Sequence, residues 1–223
     1  MMSRQSMAEG VRRDRVLAVA LEAFGRHGFR KTSMEDVARA AGISRQGLYL
    51  QFAGKEALFR AVVSRELDAA LEEASRCLDL EGAGLDRRVV LALEAWLGRY
   101  VGSMLASDIA DMLDNPVVEI GDVVQVAKAA FYARLAAAIA AGTAEEDRKR
   151  LGVTPEEIAA VLDTVGQGAK YLSRSREEFA ARAAAATRLL LAGLGTVPET
   201  VYRSTPPADA AERRGPDVTN RMR

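Results

Sequence analysis

A chain of 223 residues, 49% hydrophobic and only 5% aromatic, can bury a sizeable core and, with alanine and leucine prominent, leans towards helix rather than sheet. One cysteine, Cys77, excludes an internal disulfide; one histidine, His27, leaves little for a metal site; no unbroken apolar run reaches the length of a membrane span. Charge balances at 31 basic and 31 acidic residues, yet residues 1–60 hold eleven Lys and Arg against six Asp and Glu, a basic head on an acidic body.

The first ten residues, MMSRQSMAEG, lack the apolar stretch of a signal peptide and read as disordered. The apolar run FYARLAAAIAAG is interrupted by Arg134 and is short, so a soluble, cytoplasmic chain with no membrane partner is expected. A first helix is predicted over 12–27: Val16, Leu17, Ala20, Leu21 and Phe24 share one face, and Gly25 and Gly28 bracket its end. His27 falls in its last turn, where a basic group complements the helix dipole. A second helix starts after Thr32 or Ser33, each followed three residues on by an acid, and ends near Ala41, where Gly42 supplies a turn. Ser44 caps a third helix through Tyr49, and a fourth runs from Lys55 to about Cys77.

The glycine-rich DLEGAGL, residues 79–85, is the clearest break and a candidate domain boundary. Beyond it helices are predicted over 86–106, 108–114, 117–141, 155–173 and 176–193. Thr154, Pro155 and Glu157 form a strong start signal, and Ser175 with Glu178 repeats the capping box. From Gly195 onward the chain holds four of its six prolines and little apolar periodicity, and reads as mostly disordered.

Two short helices joined by a tight turn and preceded by a longer one have the layout of a helix-turn-helix. A helix that enters the DNA major groove needs short or flexible polar groups on its leading face, which Ser44, Arg45, Gln46 and Gly47 supply. Arginine pairs with guanine and glutamine with adenine through two-point hydrogen bonds. Ile43, Leu48 and Phe52 would hold that helix on the others. The Tyr49 hydroxyl can reach a phosphate, and Lys55 lies where a helix N-terminus attracts one.

The run TSMEDVARAAGISRQGLYLQFAGKEALF, residues 32–59, resembles the DNA-binding signature of the TetR family of bacterial transcriptional regulators. The shared anchors are Thr32, Ala41, Gly42, Ile43, Ser44, Leu48, Tyr49, Phe52, Lys55, Glu56 and Leu58; Gln51 stands where the family often has histidine or tyrosine. The resemblance covers about 50 N-terminal residues. It implies an all-α fold of about nine helices, a three-helix helix-turn-helix head and a larger helical domain for ligand binding and dimerisation. The expected division is 1–10, a head over 11–56, a body over 57–194 and a tail over 195–223. DNA contacts are expected from Thr32, Ser33, Ser44, Arg45, Gln46, Gly47, Tyr49, Gln51 and Lys55.

The resemblance also implies dimerisation through the last two long helices. Their stripes are Ile158, Val161, Leu162, Val165, Ala169 and Leu172 on one and Phe179, Ala183, Ala186 and Leu190 on the other; pattern alone favours packing inside one monomer, and the resemblance favours the dimer. Trp96, Tyr100 and Met104 recur every four residues. With Met112, Phe131 and Tyr171, and with Gln125 and Gln167 as polar interruptions, they are the expected lining of an apolar pocket. The implied partners are a double-stranded DNA operator, a small-molecule effector and a second copy of the chain, with no cofactor and no metal. Alternatives are an activator, an architectural DNA-binding protein without a ligand, and an enzyme, though no nucleophile–base pair stands out.

Overall fold

The computed structural model describes residues 4–103, 107–109 and 120–194, and among these it contains helices and turns but no strand. The head comprises α1 (Arg4–Lys31), α2 (Met34–Ala41), α3 (Arg45–Gln51) and the first turns of α4 (Lys55–Leu78). The helix expected over 12–27 is longer at both ends: α1 begins inside the stretch expected to be disordered. It bends at Gly28, whose φ of 78° and ψ of 164° suit only a residue without Cβ. The bend turns Phe29 into the core, where its ring lies 5.0 Å from Phe59 and 6.0 Å from Phe24, with Phe24 and Phe59 edge-on at 5.1 Å. Such ring pairs contribute about 0.5–1.5 kcal/mol each beyond their buried area.

Local chemistry then sets α2 and α3. The Ser33 hydroxyl accepts from Asp36 N–H and caps α2; Gly42 at φ 69° ends it, and Ile43 N–H donates back to Ala38 C=O. Ser44 caps α3 by accepting from Gly47 N–H. Leu48, fully buried, and Phe52 anchor α3 in the head core that also holds Val16, Ala20 and Val37.

The body contains α5 (Leu85–Trp96), a 3-10 turn (Gly98–Tyr100), α6 (Gly121–Gly142), α7 (Glu145–Leu151), α8 (Pro155–Leu172) and α9 (Arg176–Gly193). The helix expected over 86–106 stops at Trp96. Gly98 lies so close to Phe179 that a Cβ would meet its ring at 2.8 Å, and Gly102 turns at φ 70°. Of the segment expected over 108–114, residues 107–109 are helical and the remainder lies outside the described residues, as does the tail over 195–223. Helix α7 was not expected. Its signal is electrostatic rather than apolar: Glu145, Glu146 and Asp147 in the first turn, Arg148, Lys149 and Arg150 in the last, and Gly152 as left-handed cap.

Two hydrophobic cores meet on α4. Leu58, Phe59, Val62 and Val63 belong to the head core, Ala70, Ala74 and Leu78 to the body core, and Leu67 touches both. The packing division therefore falls inside α4 rather than at residues 79–85. That glycine-rich stretch only reverses the chain so that α5 packs back along α4. Helix α6 is long and apolar enough to cross a membrane, which FYARLAAAIAAG alone did not suggest. Its Phe131, Leu135 and Ile139 are fully buried in the body core.

The apolar stripes of α8 and α9 divide. Ile158, Leu162, Ala169, Phe179 and Ala183 face inward, whereas Val161, Val165 and Leu172 on α8, and Leu189 on α9, are exposed. The Phe179–Ala183 stripe thus serves the monomer core.

Candidate nucleic-acid interface and ligand cavity

Helix α3 presents Ser44, Arg45, Gln46, Tyr49 and Leu50 to the outside, with Gly47 half-buried. The Arg45 guanidinium lies 5.6 Å over the Tyr49 ring, which extends both side chains along the exposed face. Leu50, 82% exposed, escaped the sequence reading; it follows Gln46 by one helical turn, and an apolar side chain left bare on a polar face is the signal that marks it. Ser33 is exposed at the start of α2, its hydroxyl donating to Asp36 Oδ2 at 2.5 Å.

Three expected contacts sit differently. Thr32 is buried, and its hydroxyl donates to Gly28 C=O at 2.8 Å, so it ties the end of α1 back to the bend instead of facing outward. Gln51 turns its side-chain oxygen into the protein, where it has no partner, while its backbone C=O accepts from Arg13. Lys55 Nζ donates to Phe29 C=O at 3.1 Å and lies 4.4 Å from the centre of the Phe29 ring, so the ammonium braces the end of α1. Both of the last two lie at or just after the end of α3, where proximity in sequence to that helix did not reveal which way they turn.

The body holds a cavity of about 200 Å³ between α4, α5, α6 and α8. Trp96, Tyr100 and Gln167 line it as expected, although Tyr100 comes from the 3-10 turn and not from the helix of Trp96. Phe131 stands behind the wall, stacked on Trp96 with centroids 4.8 Å apart. Gln125 is exposed and Tyr171 is 90% exposed, and neither lines it; a pattern of large residues on separate helices does not say which faces converge. Met104 and Met112 lie outside the described residues.

Sequence reading missed most of the wall: Val63, Leu67, Leu97, Ile109 and Val124 on the apolar side, and Glu66, Lys128 and Lys170 among the polar groups. Tyr100 donates to Glu66 C=O at 3.1 Å, and burial pushes its phenol up to about 12. Asp163, 1% exposed, accepts from the Tyr132 hydroxyl at 2.6 Å and pairs with Lys128 at 3.7 Å through Oδ2; its Oδ1 has no partner. Burial, then the hydrogen bond to Asp163 and its charge, raise the Tyr132 phenol, so the proton stays on the phenol oxygen and is donated to that carboxylate. Cys77, half-buried against the body core, has its thiol raised by burial, which disfavours the reactive thiolate. Among the described residues no cluster of His, Cys, Asp and Glu is built to hold a metal ion.

The head and body join beside this cavity. Asp108 Oδ2 accepts from Phe29 N–H at 2.6 Å, and Arg60 on α4 pairs bidentately with Asp122 on α6. Val63 and Ile109 line the cavity and pack against the head core.

Residues 16–62 match the model of the family described as bacterial regulatory proteins, tetR family. The transcriptional repressor ComR of Escherichia coli is 44% identical over 64 residues, 28% of this chain and 30% of ComR, so the likeness spans less than a third of either chain. Salmonella enterica GusR superposes with a TM-score of 0.61 at 25% identity, covering 86% of this chain and 98% of GusR. A transcriptional regulator from Rhodococcus sp. Rha1 superposes with a TM-score of 0.66 at 18% identity, covering 83% and 99%. The first match assigns residues 16–62 to the tetR-family DNA-binding region, and the superpositions show that the described chain as a whole has the fold of solved transcriptional regulators.

Proposed function

We propose that this protein is a dimeric repressor that binds a palindromic DNA operator and is released from it by a small molecule with an apolar body. The observation that carries the reading is the sharing of Val63 and Ile109 between the cavity wall and the head core, with Asp108 beside Ile109 holding Phe29 N–H. A ligand that moves those side chains acts on the packing that sets the angle of α3.

Two heads would read two half-sites about 34–36 Å apart, one turn of the duplex, and so act in the cytoplasm where the DNA is. Arg45 and Gln46 would read base edges, Tyr49 and Ser44 would reach phosphates, and Leu50 suits a thymine methyl group. The exposed Val161, Val165, Leu172 and Leu189 supply apolar area for pairing α8 and α9 with their symmetry mates. The ligand must bind the released form better than the operator-bound form, and only that difference moves the equilibrium.

The test selects an operator from random duplexes with the wild-type protein and measures affinity by fluorescence anisotropy. Arg45→Ala is expected to lose about 1–3 kcal/mol at its cognate base pair and to relax preference there. Unchanged affinity and preference in that variant would remove α3 as the reader. Light scattering checks assembly. Val165→Arg, on the exposed face, should yield monomers that keep their fold, whereas Ala183→Arg should unfold the body, since Ala183 is buried in it.

A further inference from the structure

The cavity wall combines two chemistries: Val63, Leu67, Trp96, Leu97, Ile109 and Val124 are apolar, whereas Glu66, Lys128, Gln167 and Lys170 are polar. Gln167 and Lys170 lie three residues apart on α8, and Asp163 lies one turn before Gln167, so the three form a polar row along one face. Asp163 is the counter-charge of the row: it pairs with Lys128 at 3.7 Å and bears on Lys170 without forming an ion pair with it. Asp163 Oδ2 is shared by Tyr132 and Lys128. Glu66, the acid in the wall, bears on the Tyr100 phenol. Lys170 makes no ion pair among the described residues; its ammonium stands 5.9 Å from the centre of the Tyr100 ring.

We propose that the cavity takes an amphipathic carboxylate, its head group on Lys170 and the Gln167 amide and its apolar body against Trp96. This rests on the effector reading above and names the class of effector. Lys170 is half-buried, and burial lowers its pKa from the ordinary lysine value, so its charge is held at a cost that an arriving anion offsets. Lys128, paired with Asp163, also lines the cavity. The cavity is smaller than the roughly 300–1,000 Å³ of drug-sized sites, so the body of the ligand is one aromatic ring or a medium-length alkyl chain. A neutral molecule of the same shape would leave Lys170 desolvated and unpaired, and an amine would add like charge; the site discriminates by that difference.

The probes are octanoate and 3-phenylpropanoate, each beside the alcohol and the amine of the same skeleton. Trp96 is the only tryptophan and lines the cavity, so its emission reports occupancy. Carboxylates are expected to bind about tenfold or more tighter than the matched alcohols, and the amines weakest. Lys170→Met should bring carboxylate and alcohol within about threefold of each other, and Lys170→Arg should restore the preference. Circular dichroism melting confirms that each variant is folded. Equal binding of acid and alcohol by the wild type, no response to either acid, or a carboxylate preference that survives Lys170→Met would overturn the proposal. Operator binding measured on the same preparation separates these outcomes from failure of the repressor reading, because the head can bind DNA whatever the cavity prefers.

Discussion

Helices α3 and α8 carry polar residues for opposite reasons, and the contrast separates the two halves of the molecule. In α3 the polar face is outward: seven residues are capped by Ser44, pinned by Leu48, and leave Arg45, Gln46 and Tyr49 in solvent. In α8 polar groups turn inward, Asp163 buried and Lys170 half-buried, and their charges are settled by Tyr132, Lys128 and the cavity. Outward polarity is visible as a pattern because water satisfies it. Inward polarity depends on partners from other helices, which no local pattern names.

The strongest challenge to a division into head and body is Phe59→Ala. Phe59 is fully buried against Phe24 and Phe29, and truncation should cost about 3–5 kcal/mol. Because α4 runs through both cores, calorimetry is expected to show one cooperative transition, lowered as a whole. Two separated transitions would show that the head folds alone and that α4 does not couple the halves.

Gly98→Ala sharpens the contrast from the body side. A Cβ there meets Phe179 at 2.8 Å, so overpacking should cost about 1–3 kcal/mol in urea unfolding. Operator affinity should change little when the variant is folded, since Gly98 packs on α9 and not on the head.

Lys55→Met bears on the seam. It removes a hydrogen bond to Phe29 C=O and the contact with the Phe29 ring, and should lower stability by about 1 kcal/mol. It should also weaken binding to every duplex and flatten the salt dependence if the ammonium additionally serves a phosphate. A stability loss with unchanged salt dependence would assign Lys55 wholly to bracing α1.

The smallest effect is a pH dependence confined to the body. Tyr100 is raised to about 12 in the fold against about 10 when unfolded, so folding favours its neutral form. The stabilisation is fully present below pH 10 and lost as pH rises through 12. Tyr100→Phe, which leaves Glu66 C=O without its donor, should be the less stable protein at pH 9 and should converge on wild type as pH approaches 12. A constant gap between the two unfolding curves would mean that the phenol does not titrate with the fold.

The head was legible because its devices are short-range. The Ser33 and Ser44 caps, the Gly42 turn and the Leu48 anchor each act within a few residues, and the structure has them where the pattern put them. Thr32 and Gln51 were misread because each turns inward through a tertiary contact. The cavity was half legible: Trp96, Tyr100 and Gln167 line it, Gln125 and Tyr171 do not, and Lys128 and Lys170 were passed over because a lysine in an apolar helix ordinarily points to solvent.

By itself the sequence determined that the chain is helical, where most helices start, and that residues 33–51 form a helix-turn-helix with a polar exposed face. These follow from caps, helical periodicity and glycine conformations, all set by neighbours within a turn or two. Tertiary structure alone decided where α5 ends, which stripe of α9 is core, and that Glu66, Lys128 and Lys170 line the cavity. Each of those depends on a close approach between helices far apart in the chain, Gly98 on Phe179 or Lys170 over Tyr100, and periodicity carries no information about which faces meet.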